Sequence, residues 1–202
     1  MDTIKDGTKS ITYEDFAAFR PCWLTDEDKR AEHAEQLARY RAMRDKWTAL
    51  DILRLDEVSA DERLWLVLRE ELVDAPILHE FACRCAERAL SRVHNPDPRS
   101  ISAIKAKRKW LRGECTDDEL RAAWSAAESA AMDAAMKAAW SAEEHTEMYA
   151  AMFAASYAAM STSWYAARTA GHTAAKYAGL STARAAERNW QVAELIKMLE
   201  GN

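Results

Sequence analysis

Glycine and proline are scarce in this chain of 202 residues, at 5 and 4 copies. These are the two residues that interrupt helices, and alanine, the best helix former, abounds instead. The shortage also removes some chemistry. There is no glycine-rich loop of dinucleotide-binding or P-loop spacing to cradle a phosphate. There is no GxSxG nucleophile elbow. Cysteine is limited to Cys22, Cys83, Cys85 and Cys115, with no CxxC pair. Cys83 and Cys85 stand two apart, so on a helix they point to different faces. They read as idle thiols of a reducing compartment. No uncharged apolar run reaches the roughly 18 residues of a membrane span. Glu128, Asp133, Lys137, Glu143 and Glu144 interrupt the alanine-rich part. The opening MDTIKDGTKSITYED is acidic and has no apolar core, so it is not a secretory signal. A soluble, cytoplasmic protein is expected.

Metal-binding patterns are missing as well. Three residues before His33, His79, His94, His145 and His172 stand Arg30, Pro76, Ser91, Ala142 and Thr169, so no Glu-x-x-His of a di-metal bundle exists. Neither HExxH nor a Cys/His zinc spacing occurs. Glu143, Glu144, His145 and Glu147 form one tight cluster in which Glu143 and Glu147 are helical neighbours. A solvated acidic edge is the reading preferred over a cation site. No catalytic residue, metal or cofactor is expected.

What is present is a repeat. From Ala122 to Ala185 the chain is written in sixteen tetrads, 64 of its 202 residues, most of them opening on a small pair: AAWS, AAES, AAMD, AAMK, and so on. A helix turns about 100° per residue, so a period of four advances the small face by about 40° per unit. One unbroken helix would run about 96 Å with a stripe no flat partner could cover. The array should therefore break into two or three helices, near Glu143–Thr146, near Ser161–Ser163, and at Gly171 or Gly179. Paired alanines should set close helix spacing. Trp124, Met132, Met136, Trp140, Tyr149, Phe153, Tyr157, Trp164, Tyr165 and Tyr177 should reach the neighbours as core. The fold class expected is all-α, a multi-helix bundle with a C-terminal alanine-rich helical array in four-residue repeats.

Ahead of the array, residues 1–11 read as a loose start. Thr12 with Asp15 caps a short helix that Pro21 ends. Thr25 with Asp28 opens a long helix to about Trp47 or Leu50. Ser59 with Glu62 opens another, roughly 60–73, with Leu64, Leu68 and Leu72 stacked. Asp74 caps a third, with Pro76 in its first turn. The HNPDP turn at 94–98 precedes a helix over about 99–112 that buries Ile101, Ile104 and Leu111, with Gly113 at its C-terminal cap. Thr116 with Glu119 caps the entry to the tetrads, and a last helix starts at about Thr182. The expected division is 1–58 as an N-terminal helical segment and 59–202 as the alanine-rich domain.

Charge is uneven. The chain carries a net −5, yet Arg84, Arg88, Arg92, Arg99, Lys105, Lys107, Arg108, Lys109 and Arg112 crowd one span with only Glu87 and Asp97 against them. Lys105, Arg108 and Arg112 share one helix face. They are the candidate basic partner-binding face, and Glu143, Glu144 and Glu147 the candidate acidic one. The span can instead answer acidic helices elsewhere in the chain. Nucleic acid is the weaker partner, since no helix-turn-helix or aromatic-interleaved platform accompanies the charge.

Four segments carry a resemblance: LHEFACRCAERAL at 78–90, AIKAKRKWLRGE at 103–114, DELRAAWSAAESAA at 118–131 and ERNWQVAELIKML at 187–199. Their order resembles the alanine-rich putative immunity protein family of bacterial polymorphic toxin systems, also found in phages, over about residues 63–200. The matching positions are Cys85, Ala86, Glu87 and Arg88, then Trp110, Gly113 and Glu114, then Trp190 and Gln191. Their physical role reads as structural, with Glu87 and Arg88 pairing across a helix interface. The resemblance implies a non-enzymatic inhibitor that binds another protein: a toxin-neutralising immunity protein, or a phage-encoded inhibitor of a bacterial defence system such as an anti-CRISPR. The alternative is a nucleic-acid-associated phage protein using the basic 84–112 stretch. A cryptic metal or cofactor enzyme is the third class. No membrane partner is expected, and a homo-oligomer is compatible with this reading.

Overall fold

The computed structural model describes residues 9–19, 21, 27–138, 144–160, 163–176 and 181–201. Among them it is an all-α bundle of ten helices with one two-stranded ribbon. The helices are α1 (Tyr13–Ala18), α2 (Glu27–Met43), α3 (Ala49–Leu53), α4 (Ala60–Val67), α5 (Ala75–Leu90), α6 (Pro98–Leu111), α7 (Asp117–Ala138), α8 (Glu144–Ala158), α9 (Ser163–Lys176) and α10 (Ser181–Leu199). The strands are β1 (Ser10–Ile11) and β2 (Trp47–Thr48), antiparallel, with Ser10 opposite Thr48 and Ile11 opposite Trp47.

Helix α5 is the axis of the packing. Its Cys83 side, with Ala82, Ala86, Ala89 and Leu90, joins a core built from alanines of α7, α8 and α9. Its Cys85 side, with Leu78 and Phe81, joins a second core filled by Ile11, Ile52, Leu53, Leu64, Val67, Leu68, Val192 and Leu195. Both cysteines are fully buried and reduced, on opposite sides of the helix, as their two-residue spacing requires. Helices α6, α7 and α8 pack in sequence beyond the first core, and α10 closes the second against α3, α4 and α5.

Among the described residues the array is carried by separate helices. α7 ends at Ala138 and α8 starts at Glu144; α8 ends at Ala158 and α9 starts at Ser163. Gly171 is not a break but lies inside α9. Its missing side chain admits Gln191 and Phe81: an added Cβ would stand 3.4 Å from Gln191 Oε1 and 3.6 Å from Phe81 Cε1. Gly179 lies outside the described residues.

The alanines are themselves the core, which corrects the expectation for the bulky tetrad residues. Ala127, Ala130, Ala131, Ala151, Ala154, Ala155, Ala158, Ala166, Ala170 and Ala174 are buried, whereas Trp124, Phe153 and Tyr157 are half-buried and Met132 and Tyr165 are exposed. Among the described residues, Met152 is a bulky tetrad residue that does fill the core. Helices that meet through alanine leave no room between them for larger side chains, which move to the rim. The side chains of Met136, Trp140, Tyr149, Trp164 and Tyr177 lie outside the description.

Five other details differ from the expected ones. The helix expected to reach Trp47 stops at Met43, because Thr48 and Asp51 form a capping box of their own that opens α3. The loose start contributes Ile11, buried beside that box. Helix α4 ends at Val67: Arg69 bends back to the Leu66 and Trp65 carbonyls at 2.6 and 3.1 Å, yet Leu68 and Leu72 stay buried. Asp74 stands at the start of α5 without a capping bond and instead holds Lys9 at 2.8 Å. Ile101, expected inside, is exposed, because the buried stripe of α6 is Ser100, Ala103, Ile104 and Lys107. The capping boxes at Thr12 and Thr116 form as expected. Gly113 takes φ 71°, with its N–H bonded to the Trp110 carbonyl and that of Glu114 to the Lys109 carbonyl. That pair of bonds is a Schellman cap.

Candidate functional site

The basic stretch of α5 and α6 is largely consumed inside the bundle. Arg84 reaches Glu80 and Glu194, Arg88 and Arg92 both reach Glu187, and Arg99 bridges Asp97 and Asp133. Arg108 forks onto Glu80, at 2.9 Å, and onto Glu87. Those hydrogen bonds, Glu87's first, push the Arg108 guanidinium pKa above its ordinary value. Burial works to raise the Glu80 carboxyl, but its bonds to Arg108 and Arg84 win and hold it below the usual carboxylate range. Arg112 is exposed but folded back on Glu114 at 2.8 Å.

Of the three residues expected on the basic partner-binding face, then, Arg108 ties α5 to α6, Arg112 pairs locally, and Lys105 faces solvent. Lys105 and Lys109 form no ion pair with a described residue. With Ile101, exposed at 37%, they make a solvent stripe along α6. Of the expected acidic edge, Glu143 lies outside the described residues, as do the side chains of Glu144 and Glu147 on α8.

The family-motif residues serve the interior. Glu87 binds Arg108 and Arg88 binds Glu187 at 2.9 Å, each across a helix interface. The Arg88 guanidinium also lies over the Trp190 ring at 4.3 Å. Trp110 donates from Nε1 to Asp117 at 2.7 Å and meets the His79 ring edge-on. Around the fully buried Glu187 carboxylate a network continues. Gln191 donates to the Gly171 carbonyl at 2.9 Å and accepts from Arg188 at 2.8 Å, and Arg188 holds Asp61 at 2.7 Å. A buried ionic group survives only when paired and hydrogen-bonded. This one knits α4, α5, α9 and α10 together.

A second buried cation was not legible as such. Lys107 has no exposed surface; its Nζ donates to the Met160 carbonyl at 2.6 Å and sits 4.0 Å from the Trp110 ring centre. Burial lowers its pKa to about 8 and, with Lys107's charge beside it, lowers that of His79 to about 3.

Sequence reasoning also missed a cavity of about 1040 Å³ between the N-terminal elements and the bundle. One wall comes from α1, α2 and β2, with Phe16, Leu37 and Trp47; the other comes from α4 and α9, with Trp65, Arg168 and His172. No periodic signal marks it, because its walls come from separate segments spread from Ile11 to Arg188. Among the described residues no three His, Cys, Asp or Glu side chains are grouped to hold a metal ion, and no helix is long and apolar enough to cross a membrane.

Residues 71–198 match the family model described as Imm-5 like putative immunity protein, and the chain belongs to that family. The match takes in α5 to α10 almost entirely, with every motif residue named above and the Glu187 network apart from its Asp61 end on α4. No curated protein and no solved structure matches the chain.

Proposed function

We propose that this member of the Imm-5 like family is an immunity protein: it binds a protein toxin in the cytoplasm and blocks it without chemistry of its own. The family match over residues 71–198 carries the reading. The use of the charged side chains supports it. Six arginines of the basic stretch are tied to carboxylates within the fold, which makes a rigid scaffold rather than a free polycationic surface. Nucleic-acid binding by the same stretch loses its main argument for that reason, since counterion release needs cations free to meet phosphates.

The contact face is the outer side of α6, where Ile101 supplies an apolar contact and Lys105 and Lys109 supply charge that no described residue pairs. Arg112 contributes at its rim. An acidic toxin surface is its complement, and charge of this kind acts mainly on the association rate. The finer version, a phage-encoded inhibitor of a bacterial defence system such as an anti-CRISPR, uses the same face and differs only in the protein bound.

The test is co-expression with the product of the adjacent open reading frame in a host that this product kills. The full chain should restore growth, and the purified pair should elute together. A Lys105→Glu, Lys109→Glu variant with unchanged thermal stability should bind at least about tenfold more weakly, with most of the loss in the association rate. A host that still dies in the presence of well-expressed, folded protein counts against the reading.

A further inference from the structure

The cavity under the N-terminal elements has a chemistry of its own. Its volume, about 1040 Å³, is at the upper end of the range of small-molecule sites. Its walls are mostly apolar, with Phe16, Leu37, Trp47 and Leu55 facing the same space.

Among the described residues, the charged side chains on its walls have charged or hydrogen-bonding partners with one exception. Arg41 is bound to Glu14, Arg63 to Asp56, and Arg188 to Asp61. Glu57 accepts from the Tyr40 hydroxyl and lies near Arg39, and Glu62 accepts from the Ser59 hydroxyl. Arg168, on α9, has no carboxylate within ion-pair distance among the described residues. It is half-buried, and its guanidinium lies 5.8 Å from the centre of the Trp65 ring. Arg69, outside the cavity lining, lies over the same ring at 4.9 Å; its hydrogen bonds go to backbone carbonyls, so it brings a like charge and no counter-charge to Arg168. Burial lowers the pKa of Arg168, as expected of a cation without a counter-charge.

An unneutralised guanidinium in the wall of an apolar cavity is costly when the cavity is empty and favourable when an anion enters. Its planar fork matches one carboxylate through two parallel hydrogen bonds. We propose that this cavity binds an apolar monocarboxylate of the fatty-acid class, with the carboxylate on Arg168 and the chain along the apolar wall. This is independent of toxin binding, which uses the outer face of α6.

Decanoate is the probe, and decanol, with the same chain and no charge, is the control. Titration of the full chain, read by tryptophan fluorescence from Trp47 and Trp65 and by calorimetry, should show saturable one-to-one binding of decanoate. Decanol should bind at least tenfold more weakly. Arg168→Gln should abolish the preference while still binding decanol, which also reports that the cavity is intact. Should that variant fail to fold, Arg168→Lys keeps the charge and loses the fork; it should weaken decanoate but not decanol. No saturable decanoate binding, equal binding of decanoate and decanol, or an undiminished preference in the variant that folds would each overturn the proposal.

Discussion

Lys107 sets an ammonium group where the chain offers it one carbonyl and one aromatic face. Its folded pKa, about 8, lies below the value of 10.5 for an ordinary lysine. Between those two pH values the unfolded chain holds a proton that the folded protein has lost, so stability rises with pH across that window. Below pH 8 the full penalty of the buried charge is present. Urea unfolding at pH 7.5 and pH 10 should show the native chain gaining, relative to Lys107→Met, on the order of 2 kcal/mol. Equal slopes for the two proteins would mean that the ammonium is not desolvated. Glu187 is a buried charge of another kind, because it is matched by ion-pair partners. Its carboxylate is fully buried against Arg88 and Arg92, and Gln191 donates to it at 3.4 Å. Glu187→Ala removes the anion and leaves those donors unmatched, a change that costs about 3–5 kcal/mol for a fully buried pair. Arg88 and Arg92 are each 37% exposed and can turn to water, which favours the lower figure. A loss under about 1 kcal/mol in the same unfolding assay would show that the network is not a structural tie.

At the level of elements, local chemistry was readable and packing direction was not. A capping box needs only four residues, so Thr12, Ser59 and Thr116 mark helix starts that the structure contains. Gly113 was equally legible, since its left-handed cap needs a residue without a Cβ. Thr48 and Asp51 follow the same rule but were hidden inside a helical periodicity that ran past them. The tetrads reveal a different limit. Their period announces several helices, yet it does not say whether the small or the large residues face inward. That choice depends on how closely α7, α8 and α9 approach, which is a property of three segments together. The buried alanines give a direct check. Ala155 has no exposed surface in the core shared by α5, α8 and α9. Ala155→Leu forces three extra carbons into that contact and should destabilise by about 1–3 kcal/mol, seen as a lower midpoint of thermal unfolding. If large residues were the true core and alanine only a spacer, the leucine would be neutral or stabilising.

For the whole molecule, the sequence suggests a division between residues 1–58 and 59–202, while the second core crosses that line. Ile11, Ala49, Ile52 and Leu53 are buried in the same cluster as Leu64, Leu78, Phe81 and Leu195. The candidate site was least legible for the same reason: the cavity, with Arg168 in its wall, exists only when α2, α4 and α9 come together. The consequence for stability is large. Full burial of an isoleucine or leucine stabilises by about 1.5–3 kcal/mol, so removing Ile11, Ile52 and Leu53 costs on the order of 5 kcal/mol, which is comparable to the total stability of many domains. A chain trimmed to residues 59–202 should therefore keep its helical far-ultraviolet signal while losing a sharp urea transition, because the alanine core of α5, α7, α8 and α9 does not use the missing residues. A trimmed chain with an undiminished, cooperative transition would instead make residues 1–58 a separable module, and the cavity a space between two bodies rather than a part of one.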